Sequence, residues 1–197
     1  MPTAAAPAPL KIDLATGLLP GVRQVLSPFC NARPDNVAPD LLVVHGISLP
    51  PGEFGGPWID RLFTGNLPAH AHPSFPERAS LRVSAHVLIR RGGEMVQYVP
   101  FGQRAWHAGV SQYRGRANCN DFSIGVELEG TDSIPYTDAQ YEALTVLAAA
   151  LLGSYGSLAQ EHVVGHSDVA PGRKSDPGDV FDWVRLRAAI AARLSAT

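Results

Sequence analysis

The chain has 197 residues, 45% of them hydrophobic, and 16 Lys and Arg against 18 Asp and Glu give a formal net charge of −2. That length suits one domain. The apolar content excludes a wholly disordered chain, and the balance of charge offers no electrostatic basis for non-specific nucleic-acid binding. No apolar run approaches the ~20 residues that a bilayer span requires, so no membrane attachment is expected.

The first residues, Met1-Pro-Thr-Ala-Ala-Ala-Pro-Ala-Pro-Leu10, have neither a basic region nor an apolar core and do not read as a secretory signal. Residues 1–20 are expected to be a flexible N-terminal segment, with the domain proper over 21–197. Two cysteines, Cys30 and Cys119, are too few for a disulfide framework and are expected to be reduced thiols of a cytosolic protein.

Leu41-Leu-Val-Val44 is an apolar run entering His45 and predicts a buried strand. From Leu49 to Ser80 the chain is rich in Pro, Gly and His, which predicts a long loop with a short helix over Pro57–Phe63. Its position directly after His45 makes it a candidate lid. Val83–Ile89 and Glu94–Val99 predict two strands of a hairpin around Arg91-Gly-Gly93.

Ser123–Glu129 predicts a strand whose side chains at 124, 126 and 128 face one way, and those at 123, 127 and 129 the other. Thr137-Asp-Ala-Gln140 is a capping-box start for a helix that Gly153 would end. His162–His166 predicts a short strand, followed by a loop. Asp182 caps a final helix through Arg193, with Trp183, Leu186, Ile190 and Leu194 on its inner face. Interleaved strands and helices predict an α/β domain with a central mixed sheet flanked by helices.

Three segments carry potential metal ligands: Val44-His45, Gly165-His166 and Ser175-Asp176-Pro177. Two imidazoles and one carboxylate suit a catalytic zinc site, which keeps one position open. A proline after Asp176 pushes its backbone toward an extended conformation. Spacing alone leaves His70, His72, His86, His107 and His162 in competition. His86, within a strand, also reads as a core histidine donating to a carbonyl, and the loop residues His70 and His72 as solvated.

The order of several motifs is more specific. Leu42-Val-Val-His45-Gly-Ile-Ser48, Ser84-Ala-His-Val-Leu-Ile89, Ala105-Trp-His-Ala-Gly109, Asn120-Asp-Phe-Ser-Ile-Gly-Val-Glu127 and the run Gly165–Gly178 resemble the type 2 N-acetylmuramoyl-L-alanine amidase family. That family includes peptidoglycan recognition proteins. Leu49–Gly56, Arg114-Gly-Arg116 and Cys119-Asn120-Asp121 resemble its AmpD-like branch, the cytoplasmic 1,6-anhydro-N-acetylmuramyl-L-alanine amidases.

The resemblance implies the type 2 amidase fold and one zinc ion per chain, on His45, His166 and Asp176. It implies Glu127 as the acidic residue that hydrogen-bonds the catalytic water and Lys174 as the cation facing the developing oxyanion. The types suit the chemistry, since a carboxylate can take a proton and a fixed cation can stabilise an oxyanion. Glu129 follows Glu127 by one strand repeat and could support it. Trp106 and His107 are expected to border the cleft, where a flat ring packs on a sugar face. Arg82 and Arg116 are expected to receive the carboxylates of the substrate. Other members often place a further basic residue where this chain has Asn118, a loss for which Arg114 or Arg116 could compensate.

The implied reaction cleaves the amide between an (anhydro)muramoyl lactyl group and L-alanine of a stem peptide. The implied partner is a muropeptide substrate, the implied setting a cytoplasmic monomer in peptidoglycan recycling, with an indirect effect on β-lactamase induction. A non-catalytic wall-binding module is disfavoured because His45, His166, Asp176 and Glu127 are all present. A secreted hydrolase of intact wall is disfavoured by the absent signal.

Overall fold

Near-continuous apolar runs make parallel strands that are covered on both faces. In the computed structural model, which describes residues 10–196, one such run and one buried segment of alternating character form the centre of the main sheet. They are β3 (Leu41–Ile47) and β9 (Ser123–Glu129), seven residues each. Around them lie β1 (Arg23–Gln24), β4 (Val87–Ile89), β5 (Met95–Gln97) and β10 (Val163–Gly165). The six strands run in the order β1-β5-β4-β9-β3-β10. β10, β3, β9 and β4 are parallel neighbours, and β5 is antiparallel to β4. The sheet is mixed, as expected.

Outside the main sheet, β2 (Cys30–Ala32) pairs with β6 (Gln103–Ala105), and β7 (Gln112–Tyr113) with β8 (Arg116–Ala117). The helices are α1 (Trp58–Phe63), α2 (Pro76–Ala79), α3 (Asp138–Ser154), α4 (His166–Val169) and α5 (Trp183–Ser195).

Alternation divides the sheet. Leu42, Val44, Ile124, Val126 and Leu128 pack on one face with Leu144, Leu147 and Leu151 of α3 and with Leu186 and Ile190 of α5. The capping box at Thr137 is formed: Gln140 N–H donates to Thr137 Oγ1 at 3.1 Å, and Thr137 N–H to Gln140 Oε1 at 3.1 Å. Such a cap is worth ~1 kcal/mol. Gly153 lies inside α3, which runs one residue further. Leu194 is exposed rather than inward.

The opposite face carries the segment after β3. Leu49–Ser80 is more structured than a Pro- and Gly-rich loop, because Leu49, Ile59, Leu62, Phe63, Leu67 and Phe75 are buried against Leu88, Val96 and Tyr98. Gly55 N–H donates to the buried Glu129 carboxylate at 2.6 Å, which ties this segment to β9. It is a packed wall on the site's side of the sheet.

The strand expected over 83–89 is shorter. Ser84 and His86 instead hydrogen-bond the carbonyls of Trp106 and Gly125. The flexible segment expected over 1–20 is corrected in its second half. Residues 1–9 lie outside the described residues, whereas Leu10 and Ile12 pack on the core, Asp13 bridges Leu18, and Leu19 is fully buried. Both cysteines are free thiols. No helix among the described residues is long and apolar enough to cross a membrane.

Candidate metal centre and active site

Register brings the site together. His45 of β3 sits opposite Glu127 of β9, and Gly165 of β10 opposite Val44, so His166 follows beside His45. All three side chains gather at the carboxyl ends of parallel strands, where open α/β sheets bind ligands. Gly165 N–H donates to Asp168 Oδ2 at 2.7 Å, closing the turn that starts α4 at His166.

Asp176 arrives on a loop held from two sides. Its carbonyl accepts from Ser167 N–H at 3.0 Å, and the next carbonyl, of Pro177, accepts from the Tyr136 hydroxyl at 3.0 Å. Tyr136 reaches across Gly46 and Gly130, and a Cβ at either glycine would collide with its ring or hydroxyl.

Three atoms converge. His45 Nδ1 lies 2.9 Å from His166 Nδ1 and 3.3 Å from Asp176 Oδ2, and His166 Nδ1 lies 3.0 Å from Asp176 Oδ2. Tetrahedral zinc with ligand bonds of roughly 2.0–2.1 Å has its ligand atoms only about 3.4 Å apart. His166 Nε2 faces the Ala108 carbonyl at 3.2 Å, so that nitrogen carries the proton and Nδ1 is bare. Burial lowers the His45 pKa to about 4, so this ring is neutral at pH 7. Burial raises the Asp176 carboxyl, and only a proton on an imidazole nitrogen facing it would pull it down, so bare nitrogens leave its charge to be balanced by a cation. The donor set fits a divalent cation: neutral nitrogens, one anionic oxygen, all pointed at one small volume.

Beside them Glu127 is buried, and its Oε2 has no hydrogen-bond partner among the described residues. Burial, then the charge of Asp176, push its carboxyl well above the usual range, and Lys174 opposes the shift. Glu129 does different work. It accepts from Gly55 N–H, Arg91 N–H and the Arg90 guanidinium, under the 49–80 segment. The exposed Lys174 borders the same cleft of about 240 Å³ as His45, Glu127, His166 and Asp176.

Trp106 lines this cleft as expected, its indole N–H donating to Asn31 Oδ1 at 3.0 Å and its ring stacked on Phe29. His107 also borders the cleft, but its two ring nitrogens face His45 Nε2 at 2.9 Å and Ser123 Oγ at 3.2 Å. His86 is the core histidine of the sequence reading: Nδ1 accepts from Gly125 N–H, and Nε2 faces the Gln103 carbonyl at 3.0 Å. His162 lies elsewhere, beside Asp40 and Arg114.

The arginines fall differently from the expectation. Arg82 is exposed and does not line the cleft, although its neighbours Leu81 and Val83 do. Arg116 is not brought to the cleft. It pairs with Asp40 at 2.5 Å and covers the Phe122 ring. Asp40 precedes β3, five residues and therefore ~16 Å of strand from His45. The arginine that lines the cleft is instead Arg78 of α2, whose Nη1 donates to the Ser74 carbonyl at 2.7 Å. Arg78 was not singled out from the sequence, since a lone arginine in a Pro-rich segment carries no motif.

Comparison with known proteins identifies the family. The family model described as N-acetylmuramoyl-L-alanine amidase matches residues 35–179. The 1,6-anhydro-N-acetylmuramyl-L-alanine amidase AmpD of Escherichia coli K12 is 62% identical over 178 residues, spanning 90% of this chain and 97% of that protein. A crystal structure of a selenomethionine AmpD derivative superposes with a TM-score of 0.87 at 60% identity, covering 89% of this chain and 97% of that one. AmiD of E. coli, in complex with the substrate anhydro-N-acetylmuramic acid-L-Ala-D-γ-Glu-L-Lys, superposes with a TM-score of 0.56 at 30% identity, covering 80% and 58%. The chain belongs to the N-acetylmuramoyl-L-alanine amidase family, as an enzyme of that activity.

Proposed function

We propose that the chain is a zinc-dependent amidase that cleaves the bond between the lactyl group of 1,6-anhydro-N-acetylmuramic acid and L-alanine of the stem peptide. The observation that carries this reading is the convergence of His45 Nδ1, His166 Nδ1 and Asp176 Oδ2 beside the unpartnered Glu127 Oε2. One zinc ion held by those three atoms supplies Lewis acidity to the scissile carbonyl and to water.

The protein's own groups do the rest. Glu127 takes a proton from the attacking water as the carbon–oxygen bond forms. Its basicity is raised by burial, which suits a base working near neutral pH. The same carboxyl returns the proton to the alanine nitrogen as the carbon–nitrogen bond breaks. Lys174 places a positive charge where the carbonyl oxygen becomes an oxyanion. Ile47, Leu62, Phe63, Val83 and Trp106 form the apolar wall for the sugar and lactyl group. Arg78 from the cleft lining, with the nearby Arg82, offers guanidinium groups to stem-peptide carboxylates.

High identity to AmpD over nearly the whole chain supports the anhydro sugar as substrate and the cytoplasm, in peptidoglycan recycling, as the setting. Removal of anhydro-muropeptides would lower the signal that induces β-lactamase. Ligands, base and cation all come from one chain, which supports a monomeric unit of activity.

The test is mass spectrometry of stem-peptide release from anhydro and reducing-end muropeptides, with zinc present and after chelation. Faster release from the anhydro form, abolished by chelation and restored by zinc, is expected. Equal rates on both sugars would overturn the anhydro assignment, and undiminished release in ion-free buffer would overturn the zinc.

A further inference from the structure

We infer that the segment His107–Ala108 is the positioning device for both imidazoles of the proposed ligand set, and that residue 125 is glycine to make room for it. The inference rests on His45 and His166 being metal ligands.

The geometry is specific. His107 is fixed at both ends of its ring: Nε2 lies 3.2 Å from Ser123 Oγ, and Nδ1 lies 2.9 Å from His45 Nε2. With Nε2–H donating to the serine, His107 Nδ1 is the acceptor and His45 must donate from Nε2. That tautomer leaves His45 Nδ1 bare, facing His166 and Asp176. The two rings stand nearly perpendicular, at 86°, with centroids 4.9 Å apart, so the acceptor also sets the ring's rotation.

The next residue does the same for the other imidazole. The Ala108 carbonyl faces His166 Nε2 at 3.2 Å and takes a bond of 2.5 Å from the Arg173 guanidinium. The segment itself is held by one side chain. Asn120 Oδ1 accepts from His107 N–H at 3.1 Å and from Ala108 N–H at 2.8 Å.

Gly125 closes the argument from beneath. It lies in β9, one alternation before Glu127, and its φ is not in the left-handed region, so the position does not need glycine for its backbone. A Cβ there would meet Cδ2 and Nδ1 of His107 at 2.6 Å. Those are ring atoms bound on both sides, which cannot swing away.

Outer partners of ligand imidazoles usually govern 10–100-fold in metal affinity. Four proteins test the inference: wild type, His107→Ala, Gly125→Ala and His107→Gln, the last a conservative variant whose Oε1 can still accept from His45. The first readout is long-range ¹⁵N–¹H correlation of His45 in metal-free wild-type protein, which needs neither metal nor activity. The Nε2–H tautomer is expected, and the Nδ1–H tautomer would overturn the inference whether or not the variants fold.

The second readout is zinc affinity by chelator competition. His107→Ala and Gly125→Ala should each bind zinc 10–100-fold more weakly, and His107→Gln should recover most of that loss. At saturating zinc, KM for a muropeptide should stay within about twofold of wild type while kcat falls. Unchanged zinc affinity in His107→Ala, or a change confined to KM, would assign His107 to substrate contact instead. Failure of wild type to bind zinc would count against the ligand set, leaving the tautomer result to decide the role of His107.

Discussion

His45 and Glu127 are register partners on adjacent parallel strands, so a metal-ligand candidate and a carboxyl base candidate project from the same rung. Their separation is set by the strand spacing of ~4.8 Å rather than by a loop. Sites on strands are more rigidly placed than sites on loops, and only Asp176 of the ligand set depends on a loop. Replacing His45, His166 or Asp176 by Ala should therefore abolish metal retention after dialysis, measured by elemental analysis. It should also leave folding largely intact, because β3 and β10 keep their backbone pairing. Stoichiometric metal in any one of these variants would remove that residue from the ligand set.

Glu127 separates chemistry from binding. Glu127→Gln should keep the metal and lose turnover by about 10²–10⁴-fold. It should also change stability with a defined sign. The folded-state pKa of Glu127 is raised, so its contribution to stability is fully present below the ordinary glutamate value, ~4.3, and is lost as pH rises through the folded value. At pH 7, where the unfolded glutamate is ionised, metal-free wild type therefore carries a cost for its buried carboxyl that the glutamine variant lacks. Metal-free Glu127→Gln should melt higher than metal-free wild type at pH 7, and the gap should close below about pH 4. A gap that persists in acid would mean that packing, not charge, separates the two.

Lys174 stands on a loop whose backbone is clamped, its own N–H donating to the Ala170 carbonyl at 3.0 Å and the adjacent Arg173 spanning to the Val110 carbonyl. The side chain itself is exposed, so its removal should cost little stability. Lys174→Ala should lower kcat about 10²–10³-fold with a smaller effect on KM, if the charge acts on the developing oxyanion. An effect confined to KM would make Lys174 a substrate anchor.

Much of this arrangement was legible in the sequence for physical reasons. Period-two alternation assigned Ser123, Glu127 and Glu129 to one face of β9, and Thr137 with Gln140 announced the start of α3. Three strand- or turn-end ligands could be named, but their convergence could not be read from spacing, because it depends on the order β9-β3-β10. Alternation also could not choose between Glu127 and Glu129. That choice rests on Gly55, 74 residues away, which takes Glu129 and leaves Glu127 in the cleft. The Leu49–Ser80 segment read as loop because its Pro and Gly content hides apolar residues whose partners, Leu88, Val96 and Tyr98, lie beyond it. His107 borders the cleft as its motif suggests, but its bond to His45 crosses 62 positions and could not be read from the sequence.

The arginines give the sharpest contrast between reading and structure. Arg116 is committed to Asp40 and Phe122 at the amino end of β3, whereas Arg78 lines the cleft with Nε and Nη2 uncommitted among the described residues. A stem-peptide carboxylate meeting a guanidinium gains a charge-assisted contact that an amide does not. Arg78→Gln should therefore raise KM for a muropeptide with free stem carboxylates by about 10-fold, which corresponds to ~1.4 kcal/mol. The same change should leave KM nearly unaltered for a substrate whose carboxylates are amidated. Arg116→Gln should alter neither, and Arg82→Gln, exposed beside the cleft, should fall between them. Steady-state kinetics on the paired substrates checks all three. An equal loss on both substrates would mean that Arg78 shapes α2 and the cleft wall rather than reading charge.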